Sequence, residues 1–323
     1  MSHEGASPTA PGSFVHQALI YGSEQEFVAA ALPFVEQGTK AGEAVLVAVQ
    51  ERNLDALRQR LSPDSAVELR TVEQWYENPS RTREKFAAWV AAHRNGHRVR
   101  LIGEPPWPLS SEPRIREWAR HESVLNVAFD GLPLTFICPY DARVLPDSVL
   151  EHACRTHPEI CAPSGVIESD RYADPQAYCR QLNGEGRVRE GRPAVEADLA
   201  SVDLSLVRRL VEGEARGAGL EEDRVADLVL AVNEIATNAL VHGGPPASIR
   251  VWRRGDGEEE IVFDVRDGGA GVADPLAGQL RPDAGRGRGW GLWIARMVAD
   301  AVEIRSVAGG SGVSVHAAVS GSA

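Results

Sequence analysis

The chain has few of the features that mark several common classes of protein. Of its 323 residues only Lys40 and Lys85 are lysines, and the formal net charge is -12. Because phosphate binding needs clustered basic residues, a chain this acidic is poorly suited to coating DNA or RNA. It is equally poorly suited to an anionic membrane surface. We therefore expect neither a nucleic acid nor a membrane as a direct partner.

Long apolar runs and cysteine motifs are also missing. No apolar run approaches the roughly 20 residues of a membrane span. The segment Met1–Ser13 lacks the basic-then-apolar layout of a secretion signal. The four cysteines, Cys138, Cys154, Cys161 and Cys179, are few for this length and lack CxxC spacing. We expect reduced thiols and a cytoplasmic location.

The length and composition allow two folded domains. With 323 residues, of which 43% are hydrophobic, the chain can fill a core in each. Between Gly184 and Leu199 the composition shifts to Gly, Arg, Glu and Pro, which is typical of a linker. We predict a first domain over residues 14–180, a linker over 181–200 and a second domain over 201–320.

Residues 14 to about 165 alternate short apolar runs with segments of helical spacing. Ser23, placed before Glu24 and Glu26, is suited to cap the first helix. The alternation predicts an α/β layer with a mostly parallel sheet. The predicted strands are Val15–Tyr21, Ala44–Val49, Val67–Thr71, Val99–Gly103 and Pro133–Cys138, and the predicted helices are Glu24–Gln37, Arg52–Leu61 and Arg81–His93.

The second half of the chain predicts a different arrangement. Helices segregated to one side of a mixed sheet are typical of an α/β sandwich. The predicted helices are Leu204–Ala218, Glu222–Val241 and Gly291–Ala299, and the predicted strands are Ala247–Arg253, Glu260–Asp267, Val302–Ser306 and Gly312–Val319.

The helix predicted over Glu222–Val241 combines an apolar stripe with a narrow polar strip. Glu234 and Asn238, four residues apart, share the polar side with Asp227 and Ala231. A carboxylate there can accept a proton from a hydroxyl or water, and an amide oxygen one turn later can bind Mg²⁺. A solvated glutamate and an asparagine near a helix end explain the same pattern. The apolar stripe comprises Val225, Leu228, Val229, Val232, Ala236, Ala239 and Leu240.

A first glycine cluster follows a predicted strand. Asp267 stands at the end of that strand, two residues before Gly269 and four before Gly271. A carboxylate can accept the amine proton of adenine, and glycine lets the backbone approach a flat base. Taken alone, the cluster is equally well explained as an ordinary turn.

A second glycine cluster runs from Gly285 to Gly291, directly before a helix that begins at Leu292. Glycine N–H groups at a helix N-terminus favour phosphate, and Arg286 and Arg288 add positive charge. A flexible linker is the alternative for this segment alone. The chain contains no GxxxxGK[ST] motif and its glycines precede a late helix, so neither a P-loop nor a Rossmann site is predicted.

In order and spacing, these three motifs resemble the Bergerat-type ATP-binding fold of DNA gyrase, the MutL proteins and histidine kinases. Within that fold, the region from about Val202 to Val319 resembles the anti-sigma regulatory factors that are serine protein kinases. The resemblance implies ATP and Mg²⁺ as cofactors, Glu234 as the general base, Asn238 as the Mg²⁺ ligand and Asp267 as the adenine-recognising carboxylate. It also implies nucleotide contacts from Gly269 and Gly271 at the base, and from Gly287, Arg288, Gly289, Gly291 and Leu292 at the phosphates.

Two details of this resemblance stay open in the sequence. Either Ser311 or Ser314 corresponds to a threonine that the family often has near its adenine-binding aspartate. Trp290 and Trp293, in and after the glycine cluster, depart from the family pattern and leave the phosphate contacts undecided.

The resemblance implies an ATP-dependent serine/threonine kinase that modifies an anti-anti-sigma partner of the STAS type and binds a sigma factor. Relatives commonly form homodimers. The alternative is a module in which ATP sets the shape that sequesters a sigma factor, without chemistry. A sensor histidine kinase is the third hypothesis, but residues 166–232 contain no histidine to serve as a phosphoacceptor.

The N-terminal part resembles the MEDS sensory domain. The resemblance implies a RecA/KaiC-like parallel-sheet α/β core without its phosphate loop, which senses small organic ligands and regulates the kinase. His16, Cys138, Tyr140 and His157 would then line a pocket, unless they are packing residues and turn formers. The residues that carry the resemblance are His16–Tyr21, Gly38–Glu43, Cys138–Asp141 and His157-Pro158.

The spacing of Cys154, His157 and Cys161, with His152 nearby, also suggests a metal site on one helix face. Pro158 would interrupt that helix, and structural zinc sites usually draw their ligands from two segments. We therefore do not predict a metal at these four residues.

Overall fold

The computed structural model describes residues 13–63, 65–162, 165–185, 194–199, 203–254, 260–283, 289–307 and 310–319. The chain divides into two units, each with its own sheet. The first unit consists of Met1–Glu77, Thr82–Trp107 and Glu122–Pro175, and the second of Asn78–Arg81, Pro108–His121 and Gln176–Ala323.

A seven-stranded sheet forms the first unit, in the order β3-β2-β4-β5-β1-β6-β7. Neighbouring strands are parallel, except that β6 and β7 are antiparallel. The inner strands are buried over most of their length, as expected of a parallel sheet covered on both faces. The strands are β1 (Val15–Tyr21), β2 (Ala44–Val49), β3 (Val67–Thr71), β4 (Val99–Gly103), β5 (Leu134–Asp141), β6 (Glu159–Ala162) and β7 (Gly165–Glu168).

The described residues up to 185 include seven helices. As predicted, Ser23 caps the first of them, and its Oγ accepts a hydrogen bond of 3.2 Å from the backbone N–H of Glu26. The chain passes from the second unit to the first within α5, between His121 and Glu122. The helices are α1 (Glu24–Lys40), α2 (Glu51–Arg58), α3 (Val72–Trp75), α4 (Pro79–His93), α5 (Glu112–Ala128), α6 (Asp147–Thr156) and α7 (Pro175–Glu185).

A five-stranded sheet forms the second unit, in the order β11-β12-β10-β9-β8, with three helices packed on it. All described neighbouring strands are antiparallel. The helices bury apolar side chains against the residues of β12 that point towards them, Val313, Val315 and Ala317. The elements are β8 (Val195–Asp198), α8 (Leu204–Gly217), α9 (Glu222–His242), β9 (Ser248–Arg254), β10 (Glu260–Asp267), α10 (Trp290–Val298), β11 (Ala301–Val307) and β12 (Gly310–Ala318).

The α/β fold class expected from the sequence is confirmed, but several details differ. The second sheet is antiparallel in its described pairs, not mixed. Within the predicted linker, α7 continues to Glu185 and Val195–Asp198 pairs with β9, while residues 186–193 lie outside the described residues. On α9, Ala231 is buried, although we placed it on the polar side, and Leu240 is 41% exposed, although we placed it in the apolar stripe.

Among the described residues, α9 is the one helix long and apolar enough to cross a membrane by length and composition. This is a weak indication, because the core helices of globular proteins pass the same test. Seven residues of α9 belong to the apolar core of the second unit, which accounts for its composition.

The face of β12 opposite that core carries a buried ion-pair cluster. His316 is fully buried, with Nδ1 3.4 Å from Glu260 Oε2 and Nε2 3.4 Å from Glu303 Oε2. Arg116 also donates to Glu303, at 2.6 Å from Arg116 Nη2 to Glu303 Oε1. Burial alone lowers the pKa of His316, but the two carboxylates outweigh it and raise the pKa to about 9. Burial likewise raises the pKa of Glu303, but His316 and Arg116 outweigh it and hold that pKa well below its usual value.

We predict a pH-dependent loss of stability in His316→Gln. Because the pKa of His316 rises from 6.5 to about 9 on folding, its contribution is complete below pH 6.5 and is lost as the pH rises through 9. The variant should lose about 3 kcal/mol of unfolding free energy at about pH 6, as expected when one partner of a buried ion pair is removed. The loss should be clearly smaller at about pH 10. Urea unfolding at both values measures it, and equal losses would contradict the ion-pair account.

Candidate functional site

Helix α9 positions the first two predicted site residues. One side of the helix is buried in the core through Val225, Leu228 and Val232. Glu234 and Asn238 are half-buried at its edge, one helical turn apart. Both line a pocket in the second unit. The helix therefore presents a carboxylate and an amide to the same space.

The end of strand β10 positions Asp267, the third predicted site residue. Asp267 Oδ1 accepts a hydrogen bond of 2.8 Å from the backbone N–H of Gly269, and its Oδ2 accepts one of 2.9 Å from Ser311 Oγ. In the β10–β12 ladder Asp267 lies opposite Ser311, whereas Ser314 lies opposite Asp264 and donates to it. Of the two serines, Ser311 is therefore the one beside Asp267.

Close packing around Asp267 requires glycine at neighbouring positions. A Cβ at Gly243, just past the end of α9, would lie 2.6 Å from Asp267 Cγ. Gly271 has φ +82°, in the region that favours glycine, and a Cβ there would lie 3.3 Å from Ser311 Cβ. These glycines bring the backbone close to the carboxylate and leave the adjoining pocket open.

The start of α10 faces the polar pair of α9. Gly289 precedes the helix with φ +91°. A Cβ at Gly291, in the first turn, would lie 2.7 Å from Asn238 Nδ2 and 3.2 Å from Glu234 Oε2. The first N–H groups of a helix have no intrahelical acceptor and carry a partial positive charge. Glu234 and Asn238 therefore lie beside a helix terminus that is suited to phosphate.

These elements enclose a pocket of about 530 Å³, a size typical of sites for small organic ligands. Its walls combine apolar side chains and glycine backbone at the Asp267 end with oxygen and nitrogen groups at the α9–α10 end. Asn238 and Glu234 offer the oxygen atoms that Mg²⁺ prefers, so the residues present fit a magnesium nucleotide. The lining residues are Glu234, Ile235, Asn238, Ala239, His242, Gly243, Val265, Asp267, Gly269, Ala270, Gly271, Val272, Gly289, Trp290, Gly291, Leu292, Ser311 and Val313.

The structure brings most of the predicted site residues together. Glu234, Asn238 and Asp267 line one pocket, as do five other residues expected from the sequence: Gly269, Gly271, Gly289, Gly291 and Leu292. Gly287 and Arg288 lie outside the described residues. The individual roles of all these residues stay predictions.

Sequence reasoning missed several residues of the pocket wall. His242 is four residues after Asn238, so helical spacing places it on the same side of α9. Gly243 caps that helix. Trp290, noted in the sequence only as a departure from the family pattern, lines the pocket and meets Trp293 edge-on, with ring centroids 5.4 Å apart.

In the first unit, the residues expected to line a ligand pocket also come together. Cys138 Sγ lies 3.4 Å from His16 Nε2, and the rings of His16 and His157 have centroids 4.0 Å apart. The Tyr140 ring packs edge-on against His157 at 5.6 Å. These side chains are buried, so in this structure they form a closed cluster rather than an open pocket.

The fold and the pocket of the second unit define a histidine kinase-like ATPase domain. Residues 195–317 match the family described as "Histidine kinase-like ATPase domain". Residues 15–158 match the family described as "MEDS: MEthanogen/methylotroph, DcmR Sensory domain". The chain therefore carries a MEDS domain in its N-terminal part, followed by a histidine kinase-like ATPase domain.

The chain is also similar to solved structures, of which one is described here. No curated protein matches the chain. A crystal structure of the RsbU and RsbW domains of a Mycobacterium tuberculosis protein is similar, with 19% identity over 39% of this chain and a TM-score of 0.29. The match spans 32% of the length of that structure's chain.

We predict that Gly291→Ala weakens the binding of Mg·ATP about tenfold, or about 1.4 kcal/mol. Alanine favours a helix over glycine, so the loss would come from the new Cβ, which meets Asn238 Nδ2 at 2.7 Å. Gly213→Ala on α8 is the matched control, because a Cβ there meets nothing within 4 Å. Calorimetric titration of both variants measures the effect. Unchanged affinity in Gly291→Ala would argue against this packing.

Proposed function

We propose that the chain is an ATP-dependent anti-sigma regulator that phosphorylates a serine or threonine of a STAS-type anti-anti-sigma partner. The observation that carries the proposal is the convergence of Glu234 and Asn238, one turn apart on α9, on Gly291 at the start of α10. A nucleotide-binding module needs only the amide and the adenine carboxylate. A carboxylate beside the phosphate end of the pocket supplies the base that phosphoryl transfer uses.

In this proposal, each polar group of the pocket has a separate role. Asp267, held by Gly269 and Ser311, accepts a hydrogen bond from the exocyclic amine of adenine. The N-terminus of α10 receives the phosphates, and Asn238 offers its side-chain oxygen to Mg²⁺. When bound, Mg²⁺ neutralises charge on the transferred phosphoryl group. Glu234 takes the proton from the attacking hydroxyl of the partner protein.

We expect Glu234→Gln to separate nucleotide binding from phosphoryl transfer. The amide keeps the shape of the side chain but cannot accept the hydroxyl proton, so transfer should fall about 10²–10⁴-fold while affinity for Mg·ATP changes little. Incubation with γ-labelled ATP and a cognate STAS protein measures transfer. Asp223→Asn is the control, because Asp223 is an exposed acid at the start of the same helix. Full transfer by Glu234→Gln would remove Glu234 from the mechanism.

Asn238→Ala and Asp267→Ala should instead lose nucleotide binding. The first removes the Mg²⁺ ligand, and the second removes the acceptor for adenine together with its bonds to Gly269 and Ser311. Titration with Mg·ATP and Mg·ADP distinguishes these variants from Glu234→Gln. Wild-type affinity in both would contradict the assigned pocket.

Two alternative functions give different outcomes in the same assays. A non-catalytic module would bind a sigma factor in an ATP-dependent manner and transfer no phosphate, even with Glu234 intact. A histidine kinase would label its own chain with an acid-labile phosphate. Residues 166–232 contain no histidine, which disfavours a phosphoacceptor directly before the ATPase domain.

We further propose that the MEDS domain regulates this activity in response to a small organic ligand, in a cytoplasmic protein. The test uses the whole chain, because Asn78–Arg81 and Pro108–His121 belong to the second unit and an N-terminal deletion would remove them. A ligand of the MEDS domain should change the rate of phosphoryl transfer. The test uses a panel of simple alcohols, aldehydes and halocarbons. If none of them changes the rate of phosphoryl transfer, the proposal is contradicted.

A further inference from the structure

Four buried side chains with metal-binding atoms converge in the first unit. His16, Glu122, Cys138 and His157 each place one nitrogen, oxygen or sulfur atom within 4.8 Å of all the others. The side chains of both histidines are 0% exposed, that of Glu122 is 2% exposed, and Cys138 is 1% exposed. Buried polar groups of this kind need a compensating partner. Packing alone therefore does not explain why these four polar side chains are buried together.

The four residues come from four elements that the fold brings together. His16 lies on β1 and Cys138 on the adjacent parallel strand β5, where His16 is opposite Phe136 and Ala18 is opposite Cys138. Side chains alternate along a strand, so His16 and Cys138 point to the same face of the sheet. Glu122 comes from α5, and His157 directly follows α6. The cluster thus joins two strands and two helices.

The distances between the ligand atoms fit a small tetrahedral ion. Nε2 of His16 and Nε2 of His157 each lie 3.4 Å from Oε2 of Glu122. Sγ of Cys138 lies 3.4 Å from Nε2 of His16. In a tetrahedral zinc site, bonds of about 2.0–2.3 Å separate neighbouring ligand atoms by about 3.3–3.7 Å. Three edges of the cluster already have that length.

Hydrogen bonds outside the cluster turn both histidines inward. Nδ1 of His16 lies 3.1 Å from Asn126 Oδ1, and Nδ1 of His157 lies 2.9 Å from the carbonyl oxygen of Ala153. Both outer atoms are acceptors, so each Nδ1 carries the proton and each Nε2 keeps its lone pair for a metal. His157 Nε2 is buried and makes no hydrogen bond, although a carboxylate oxygen is 3.4 Å away. A bound cation would satisfy that atom.

The charges of the cluster also suit a divalent ion. A thiolate and a carboxylate neutralise two positive charges, and two neutral imidazoles complete the set. A metal would displace the proton of the Cys138 thiol to solvent without any change of oxidation state.

We propose that His16, Glu122, Cys138 and His157 form a closed, four-coordinate site for a divalent transition metal of the zinc class. Because the protein supplies all four ligands, the site is of the structural type, without an open position for a reacting molecule. It tethers β1 and β5 to α5 and the end of α6. Cys154 and Cys161, considered for a metal from the sequence, are not part of it, and Cys161 instead donates to Gln17 Oε1 at 3.6 Å.

The test measures metal in the whole chain. The protein is purified from zinc-supplemented medium, and elemental analysis should find roughly one zinc per chain. After removal of zinc by a chelator, titration with Co²⁺ should give a thiolate-to-cobalt charge-transfer band. Cys138→Ser should abolish this band and weaken binding more than the 10–100-fold typical of losing an outer hydrogen bond. Cys161→Ser is the matched control and should keep both metal and band.

The unsubstituted chain decides the outcome even if Cys138→Ser fails to fold. A wild-type protein with native circular dichroism that retains less than about a tenth of an equivalent of zinc, and shows no thiolate band with Co²⁺, would overturn the proposal. A band that Cys161→Ser removes and Cys138→Ser keeps would overturn it as well. Asn238→Ala should leave the band unchanged, which distinguishes this site from the predicted Mg²⁺ position in the ATPase domain.

Discussion

The second unit depends on helix α9, which contributes residues to the apolar core and to the pocket wall along the same stretch of chain. Its buried side packs on the antiparallel sheet, while Glu234 and Asn238 stay at the edge beside α10. Its last residue is followed by Gly243, which packs against Asp267. The end of the pocket beside α10 and the end beside Asp267 therefore depend on the placement of a single helix. A shift of α9 would misplace both.

Where the hydrophobic pattern was regular, the sequence was sufficient to locate the elements, and β1 to β4 begin and end where predicted. Prediction failed where polar residues are buried. On α5, Arg120 and Glu122 are buried beside apolar residues such as Val124 and Leu125, which interrupts the apolar pattern of that helix. The short strand Val195–Asp198 was not predicted, because it lies in the Gly- and Arg-rich segment that we expected to be a linker. The site motifs were recognisable, but choosing Ser311 over Ser314 required the register of β10 and β12.

The two units show how the surroundings decide the chemistry of one residue type. His16 and His316 are both fully buried histidines beside glutamate. A second histidine next to His16 adds to the effect of burial, and the pKa falls. Two carboxylates around His316 outweigh burial, and the pKa rises. The first ring is therefore held neutral, whereas the second is a fixed positive charge that holds a sheet face together.

Under the proposed function, the fixed carboxylate of Asp267 has a consequence for the choice of purine. Gly269 and Ser311 each donate a hydrogen bond to one of its oxygens, which holds the group in one orientation. A carboxylate oxygen accepts hydrogen bonds, and the exocyclic amine of adenine donates one. Guanine has a carbonyl where adenine has this amine. The lone pairs of that oxygen would face those of the Asp267 carboxylate, so guanine would lose the hydrogen bond and be repelled. The proposed function therefore includes discrimination against GTP, since sites built around a fixed polar group reject the analogue that cannot match it.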